Sequence, residues 1–219
     1  MVNQTRKIQV AIADDHTLLR NALARLVNSF DGYTVLLEAD NGKDLRNKIM
    51  KHLVPDVVLL DVNMPGMDGF ETTQWLRKNY PHIKILVLSM LNDEKTIIKM
   101  FRLGATGYLL KNTDAEELKK ALDAVINKNV YLSEYVSAKL VSGLHTDTDE
   151  SIKPTLLNER DKDFLRWVCT ELTYKDIAEK MNLSARTVDD YRQSLFTRLK
   201  VHSRVGLVMY AIRNGIVVA

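Results

Sequence analysis

The sequence predicts a parallel α/β domain followed by a smaller all-helical domain. Short apolar runs alternate with helical patterns over the first half of the chain, which is typical of a parallel sheet with helical crossovers. Two of these runs are apolar without alternation, as expected for strands that are covered on both faces. From Pro154 onward only helical patterns persist. We therefore predict a (βα)5 doubly wound sheet and then a small domain of four helices.

The strand signals follow one another at regular intervals. The predicted strands are Ile8–Ala13, Thr34–Ala39, Val57–Leu60, Ile83–Ser89 and Gly107–Leu110. Amphipathic stretches with apolar residues at helical spacing lie between and after them, most clearly over 18–27 and 118–126.

The α/β pattern weakens after Lys128. A short helix is predicted over Ser133–Val141, and the polar run His145–Ser151 has no apolar face and is predicted to be a linker. Asn158, followed by Asp161, has the pattern of a helix N-cap, as do Thr173 and Ser184. The predicted boundaries are 1–127 for the first domain, 128–153 for the linker and 154–219 for the second domain.

Composition excludes several classes of protein. The formal net charge of +3 is not that of a polycation, and no apolar run approaches the roughly 20 residues that span a bilayer. The amino terminus does not have the pattern of a signal peptide. The single cysteine, Cys169, excludes an internal disulfide framework. We expect a cytoplasmic protein without a membrane segment.

Carboxylate, hydroxyl and ammonium side chains lie at the ends of four predicted strands. Asp14 and Asp15 end the first strand, Asp61 ends the third, Ser89 ends the fourth, and Lys111 follows the fifth. The carboxyl ends of parallel strands meet at one edge, where such sheets bind their ligands. Neighbouring carboxylates repel one another unless a cation such as Mg²⁺ neutralises them. Together with the hydroxyl and the lysine they predict a phosphoryl-transfer site with a carboxylate nucleophile.

Each of these residues has a simpler interpretation when taken alone. An aspartate at a strand end is more often a helix N-cap or a turn residue, and a lone lysine is usually solvated. The prediction depends on all five residues falling at the same edge of one sheet.

Over residues 7–126 the chain resembles the receiver domains of bacterial two-component systems. The resemblance lies in Asp14-Asp15, the run 61–69 (DVNMPGMDG), Ser89, and the run 104–111 (GATGYLLK). It implies that Asp61 accepts a phosphoryl group from a sensor histidine kinase. It also implies that Asp14, Asp15, Asp61 and the backbone carbonyl of Asn63 hold Mg²⁺.

The same resemblance assigns roles to three further residues. Lys111 would pair with the phosphoryl oxygens, and Ser89 and Tyr108 match the pair of switch residues whose hydroxyl moves to the phosphoryl group as the aromatic ring turns inward. One position departs from the usual pattern, because Asn112 stands where many receivers have a proline after a cis peptide bond.

The second domain contains a helix–turn–helix pattern. Apolar residues fall on one side of the predicted helix Ala185–Lys200, and polar residues fall on the other side. From Ser184 to the end, six arginines and lysines stand against two aspartates, a charge balance suited to phosphate contacts. The candidate DNA contacts are Thr173, Lys175, Arg186, Thr187, Asp189, Asp190, Arg192, Gln193, Thr197 and Lys200. The simpler interpretation is a helical bundle with a solvated polar face.

The run Thr173–Val188, with Leu199-Lys200-Val201 and Ser203-Arg204, resembles the LuxR-type helix-turn-helix. Taken with the first domain, it makes the whole chain similar to a NarL/FixJ-family response regulator. The resemblance implies a transcription regulator that binds promoter DNA. Asp189 and Tyr191 depart from the family at the predicted reading face, where an aspartate can accept a hydrogen bond from cytosine N4.

The terminal helix predicts a homodimer on DNA. Val205, Val208, Met209 and Ile212 share a face that we expect to close the core of the second domain. Leu207 and Ala211 form a smaller apolar strip that we expect a partner subunit to cover.

Two other functions stay open at this point. The first is an aspartyl-phosphate hydrolase that uses Asp61, although such phosphatases commonly have a second acid where Asn63 stands. The second is a protein-binding regulator that has lost DNA affinity through Asp189 and Asp190. We favour the regulator that promotes only its own phosphotransfer and dephosphorylation and is not otherwise an enzyme. The sequence does not specify the kinase, the promoters, or whether the output is activation or repression.

Overall fold

A computed structural model describes residues 6–51, 53–146 and 157–217. The first domain carries six strands among the described residues: β1 (Ile8–Ala13), β2 (Tyr33–Ala39), β3 (Val57–Leu60), β4 (Lys84–Ser89), β5 (Gly107–Leu110) and β6 (Tyr131–Leu132). Its helices are α1 (Thr17–Ser29), α2 (Gly42–Met50), α3 (Gly69–Asn79), α4 (Glu94–Leu103), α5 (Ala115–Asn127) and α6 (Glu134–Thr146).

The strands form one parallel sheet in the order β2-β1-β3-β4-β5-β6. The strand order reverses at β1, so the crevice beyond the carboxyl ends of β1 and β3 is the expected ligand site. Helices cover both faces of the sheet, since β3 is buried along its whole length. The doubly wound α/β fold predicted from the sequence is therefore confirmed.

Each face of the sheet has its own apolar core. On one face α1 and α5 contribute residues such as Val27 and Leu122. On the other face α2, α3 and α4 contribute residues such as Leu45, Leu76 and Phe101. These helices fix the strand ends that carry the polar residues, because a packed core leaves little room for the strands to shift.

The segment predicted to be a linker begins as part of the first domain. Tyr131 and Leu132 extend the sheet by pairing with Gly107 and Tyr108 of β5. Val136 and Leu140 of α6 join the core beside α4. Helix α6 runs to Thr146, two residues into the run predicted to be a polar linker, and residues 147–151 of that run lie outside the described residues.

The second domain is helical in its described part, as predicted. It comprises α7 (Glu159–Val168), α8 (Tyr174–Lys180), α9 (Ala185–Leu199) and α10 (Arg204–Arg213). The three predicted N-caps are confirmed: the side chains of Asn158, Thr173 and Ser184 each accept a hydrogen bond from the backbone N–H three residues on.

The two faces of α10 pack in the reverse of the predicted arrangement. Leu207 and Ala211, predicted to await a partner subunit, are fully buried in the core of the second domain. Val205 and Met209, predicted to close that core, pack instead into the apolar cluster of the first domain. Both predictions were wrong for these four residues, although Val208 packs against the core of the second domain as predicted. A helix with apolar residues on two sides can turn either side inward, and here the first domain covers the second side.

Among the described residues, no helix is both long enough and apolar enough to cross a membrane.

Candidate phosphoacceptor site and nucleic-acid interface

Three of the predicted residues meet at the carboxyl edge of the sheet. The ammonium group of Lys111 lies 2.7 Å from Asp61 Oδ2 and 2.8 Å from Asp14 Oδ2. All three side chains are almost completely buried, at 3–4% exposure. The backbone N–H of Val62 donates to Asp61 Oδ1 at 2.7 Å, which fixes the carboxylate plane. The ends of β1, β3 and β5 therefore converge as predicted.

Burial and charge act in opposite directions at this site. Burial raises the pKa of Asp61 and the charge of Asp14 raises it further, while Lys111 lowers it, and the pKa stays above its usual range. Burial lowers the pKa of Lys111, but its hydrogen bonds to Asp14 and Asp61 outweigh burial and raise it. The lysine is thus charged and partly compensates two carboxylates that would otherwise repel each other.

Oxygen ligands for a cation surround the same point. Ligand atoms of Asp14, Asp15, His16 and Asp61 all lie within 4.8 Å of one another. The imidazole of His16, which the sequence analysis did not single out, lies 3.1 Å from Asp14 Oδ1 and 3.0 Å from Asp15 Oδ1. The sequence feature that could have indicated His16 as a site residue is its position directly after Asp15. Three carboxylates from two strand ends form a donor set that suits a hard divalent cation.

A glycine allows α3 to begin close to the site. The N–H of Gly69 donates to the carbonyl of Val62 at 2.9 Å. A β-carbon at Gly69 would lie 2.7 Å from Val62 Cα, so a side chain there would push α3 away from the strand end. Asn63 is exposed in the intervening loop.

The two predicted switch residues both contact the loop after β4. Ser89 is buried and its hydroxyl accepts a hydrogen bond from the N–H of Leu91 at 3.1 Å. Tyr108 points inward, is fully buried, and donates from its hydroxyl to the carbonyl of Leu91 at 2.7 Å. The described residues contain no cis peptide bond, so the bond before Asn112 is trans.

A buried charge network sets the orientation of α9. Asp161 has no exposed surface and accepts hydrogen bonds from Tyr191 Oη at 2.5 Å and from Arg198 at 2.7 and 3.1 Å. Tyr191 also packs edge-on against Phe164. Tyr191 therefore lies on the apolar side of α9 and not on the predicted reading face, because its hydroxyl donates to a buried carboxylate inside the domain.

The polar side of α9 and the start of α8 carry the predicted DNA contacts. Eight of the ten are exposed: Lys175, Arg186, Thr187, Asp189, Asp190, Gln193, Thr197 and Lys200. Thr173 is partly buried and caps α8. Arg192 is also partly buried, packs on the rings of Tyr174 and Phe196, and pairs with Asp189 at 3.2 Å.

This polar side faces the first domain across a cleft of about 1100 Å³, which we call the interdomain cleft. Gln193, Thr197 and Lys200 line it from α9, and Arg77 and Lys84 line it from the first domain. Lys84 begins β4, so the cleft lies at the amino-terminal edge of the sheet, opposite Asp61.

Helix α10 closes the interdomain contact beside the cleft. Val205 and Met209 pack against the first domain. The hydroxyl of Ser203 donates to the carbonyl of Phe101 near the end of α4, and Arg204 donates to the carbonyl of Lys128 at 3.2 Å. The structure thus shows a closed arrangement, in which much of the predicted reading surface is turned toward the first domain.

The fold and the site define a two-domain protein in which a parallel-sheet domain with an acidic strand-end pocket is joined to a helix-turn-helix domain. Residues 10–123 match the response regulator receiver domain, and residues 155–211 match the luxR family of bacterial regulatory proteins. The chain belongs to the response regulators of two-component systems, in the NarL/FixJ family, and it regulates transcription through a DNA-binding domain.

Relatives of known identity align along nearly the whole chain. The response regulator GacA of Pseudomonas aeruginosa is 32% identical over 96% of this chain and 98% of its own length. The oxygen regulatory protein NreC of Staphylococcus epidermidis is 31% identical over 94% of this chain and 98% of its own length. A solved structure of two RcsB dimers bound to two parallel DNAs matches with a TM-score of 0.56 and 26% identity, covering 95% of this chain and 99% of that one.

Proposed function

We propose that phosphorylation of Asp61 switches this regulator from the closed arrangement to a DNA-binding form. The observation that carries the proposal is the position of Lys111, within 2.8 Å of two buried carboxylates at the carboxyl edge of a parallel sheet. A carboxylate can act as a phosphoryl acceptor when neighbouring cations neutralise the transferred group. The phosphoryl donor would be a sensor histidine kinase.

Mg²⁺ fits the donor set at this edge. We propose that Asp14, Asp15, Asp61 and the carbonyl of Asn63 hold it, since the carboxylates already lie within 4.8 Å of one another. When bound, the ion supplies charge neutralisation for phosphoryl transfer. Lys111 would supply a second cation to the phosphoryl oxygens, and the domain would promote only its own phosphotransfer and dephosphorylation.

Helix α4 is the element that reaches both sites. It begins just after the loop held by Ser89 and Tyr108, and its end carries the carbonyl of Phe101 that accepts from Ser203. We propose that Ser89 reports the state of Asp61 to this helix by moving toward the phosphoryl group, and that Tyr108, whose ring already points inward, transmits the movement through its hydrogen bond to Leu91. A shift of α4 would then weaken the contact with α10 at the opposite edge of the sheet.

Opening would expose a surface suited to a second subunit. Val205 and Met209, which now face the first domain, become an apolar face of α10 when the domains separate. We propose that this face contributes to a homodimer on DNA, in place of the Leu207 strip. A dimer gains affinity because the second half-site is bound intramolecularly.

The closed arrangement predicts the effect of a charge at Met209. Met209→Glu should disfavour docking on the first domain, because the carboxylate would lose hydration at a buried position. We expect the unphosphorylated variant to show a larger radius of gyration by small-angle scattering. It should also bind a duplex with a single half-site as tightly as phosphodonor-treated wild type, but because Met209 lies on the proposed dimer face it should lose the extra affinity of a duplex with two half-sites.

Met209→Leu is the matched control, since it conserves volume and apolar character and should stay closed. Equal scattering profiles for Met209→Glu and Met209→Leu would contradict the closed arrangement. Wild-type DNA affinity that does not respond to phosphodonor would contradict the phosphorylation switch.

The exposed amide of Gln193 predicts a base contact. Gln193 is exposed, and we propose that it reads adenine through a bidentate contact, which is worth roughly 1–3 kcal/mol of discrimination. Gln193→Ala should relax base preference at one position of the selected site, as measured by duplex selection. Arg186→Ala, which removes an exposed cation, is the control and should weaken binding to all sequences and lower the salt dependence. An unchanged preference in Gln193→Ala would refute the contact.

A further inference from the structure

The interdomain cleft has a large excess of positive charge. Among the described residues that line it, six cations face a single carboxylate, Asp189. The cations come from both domains and are Arg77, Lys84, Lys175, Arg192, Lys200 and Arg204. Like charges on two opposed faces make closure unfavourable unless something neutralises them.

Within the described part of the chain, other groups neutralise little of this charge. Asp189 already pairs with Arg192 at 3.2 Å. Lys84 donates to the neutral amide of Asn129, and Arg77 donates to the backbone carbonyls of Pro81 and Ile83. Burial, and then the charges of Arg192 and Arg77, lower the pKa of Lys84 to about 8 despite Asp189. Lys84 is thus a half-buried cation for which the described residues supply little negative charge.

Some buried polar atoms on the cleft wall also lack hydrogen-bond partners among the described residues. The hydroxyl of Tyr174 and the Nε atoms of Arg77 and Arg192 are buried and have no hydrogen-bond partner among the described residues. Such groups cost free energy when they stay unpaired, so a ligand that accepts hydrogen bonds from them would be stabilised in the cleft. A site that combines excess cations with unpaired hydrogen-bond donors is suited to binding phosphate oxygens.

We propose that the interdomain cleft is a binding site for a small anion with two adjacent phosphoryl groups, either inorganic or part of a nucleotide. Cations on both walls favour a diphosphate over a single phosphate, because one end can contact Lys84 while the other contacts Arg192 or Lys200. The cleft volume of about 1100 Å³ also admits a nucleotide.

Regulation follows from the position of the site. The anion can contact both walls only when the domains are together, so it stabilises the closed arrangement by mass action. Arg192 and Lys200 are also proposed DNA contacts, so the anion and DNA exclude each other. The inference rests on the closed arrangement proposed above, but it does not depend on phosphorylation of Asp61.

Calorimetry on the full-length unphosphorylated protein tests the proposal. The probes are pyrophosphate and ADP, titrated in EDTA at constant ionic strength, with sodium chloride as the reference. We expect one equivalent to bind, and Lys84→Gln to weaken binding about tenfold, since the lost contact is a hydrogen bond to a charged group. Lys43→Gln, at an exposed position on α2, is the matched control and should bind like wild type.

Two further measurements separate this site from the phosphoacceptor site and from simple screening. At pH 8 wild type should take up more protons on binding pyrophosphate than Lys84→Gln does, because only wild type can restore the charge of Lys84, and heats in two buffers of different ionisation enthalpy report that difference. Lys200→Gln, on the opposite wall and exposed, should weaken binding as well. Tighter binding of ADP than of pyrophosphate would identify a nucleotide as the ligand, and equal binding would identify the inorganic anion.

The proposal is overturned by any of three results. These are no saturable binding, equal affinity in Lys84→Gln and Lys43→Gln, or a pyrophosphate effect on DNA affinity no larger than that of chloride at the same ionic strength. Because none of these readouts involves a phosphodonor, a failure here is distinguishable from a failure of the phosphorylation switch.

Discussion

Asp61→Asn should abolish phosphate incorporation from a small-molecule phosphodonor in the presence of Mg²⁺. The amide lacks the negative charge and the nucleophilic oxygen that accept the phosphoryl group. Incorporation of labelled phosphate, measured on intact protein, is the readout, and the phosphodonor should no longer raise DNA affinity.

Asp56→Asn is the matched control for this change. Asp56 immediately precedes β3, so the same substitution is made at the other end of the same strand. This variant should incorporate phosphate like wild type. If Asp61→Asn incorporates as much phosphate as wild type, Asp61 is not the phosphoacceptor.

Asp161→Ala should strongly destabilise the helical domain. It removes a fully buried carboxylate that accepts hydrogen bonds from Tyr191 Oη and from the Arg198 guanidinium. Breaking a buried charge pair costs about 3–5 kcal/mol, and because Arg198 is partly exposed and can rehydrate we expect about 2–3 kcal/mol. Denaturation in urea, followed by the fluorescence of Trp167 in a Trp75→Phe background, measures the free energy of unfolding of this domain.

The control is Asp163→Ala, two residues further along the same helix. Asp163 pairs with Arg166 on the surface, and exposed pairs contribute about 0–1 kcal/mol. A loss of stability in Asp161→Ala no larger than that in Asp163→Ala would contradict the role of the network.

The Asp161 network also predicts a dependence on pH. Burial raises the pKa of Asp161, but the hydrogen bonds from Arg198, Tyr191 and the backbone of Asn158 outweigh burial and lower it. A carboxylate with a lowered pKa stabilises the folded state at pH values above its unfolded pKa of about 3.9. That contribution is lost as the pH falls through the folded pKa. The difference in stability between wild type and Asp161→Ala should therefore be constant near neutrality and shrink in acid.

Most strands of the first domain could be predicted from local patterns in the sequence. The strands Ile8–Ala13, Val57–Leu60 and Gly107–Leu110 lie where the apolar runs predicted them. Once a parallel sheet is predicted, the polar residues that follow its strands must lie at one edge, which is why Asp14, Asp61 and Lys111 could be brought together without coordinates. His16 was missed because an exposed histidine beside two aspartates has no periodic signal of its own.

The sequence by itself determined the two folds, the helix caps and the residues of the acidic pocket, because each depends on periodicity or on position at a strand end. The tertiary structure alone decided which side of α10 faces which domain, where Tyr191 points and what lies across the interdomain cleft. Each of these depends on contacts between residues distant in sequence. A helix with two apolar sides, or a tyrosine that can reach either solvent or a buried carboxylate, has no local preference until its neighbours are in place.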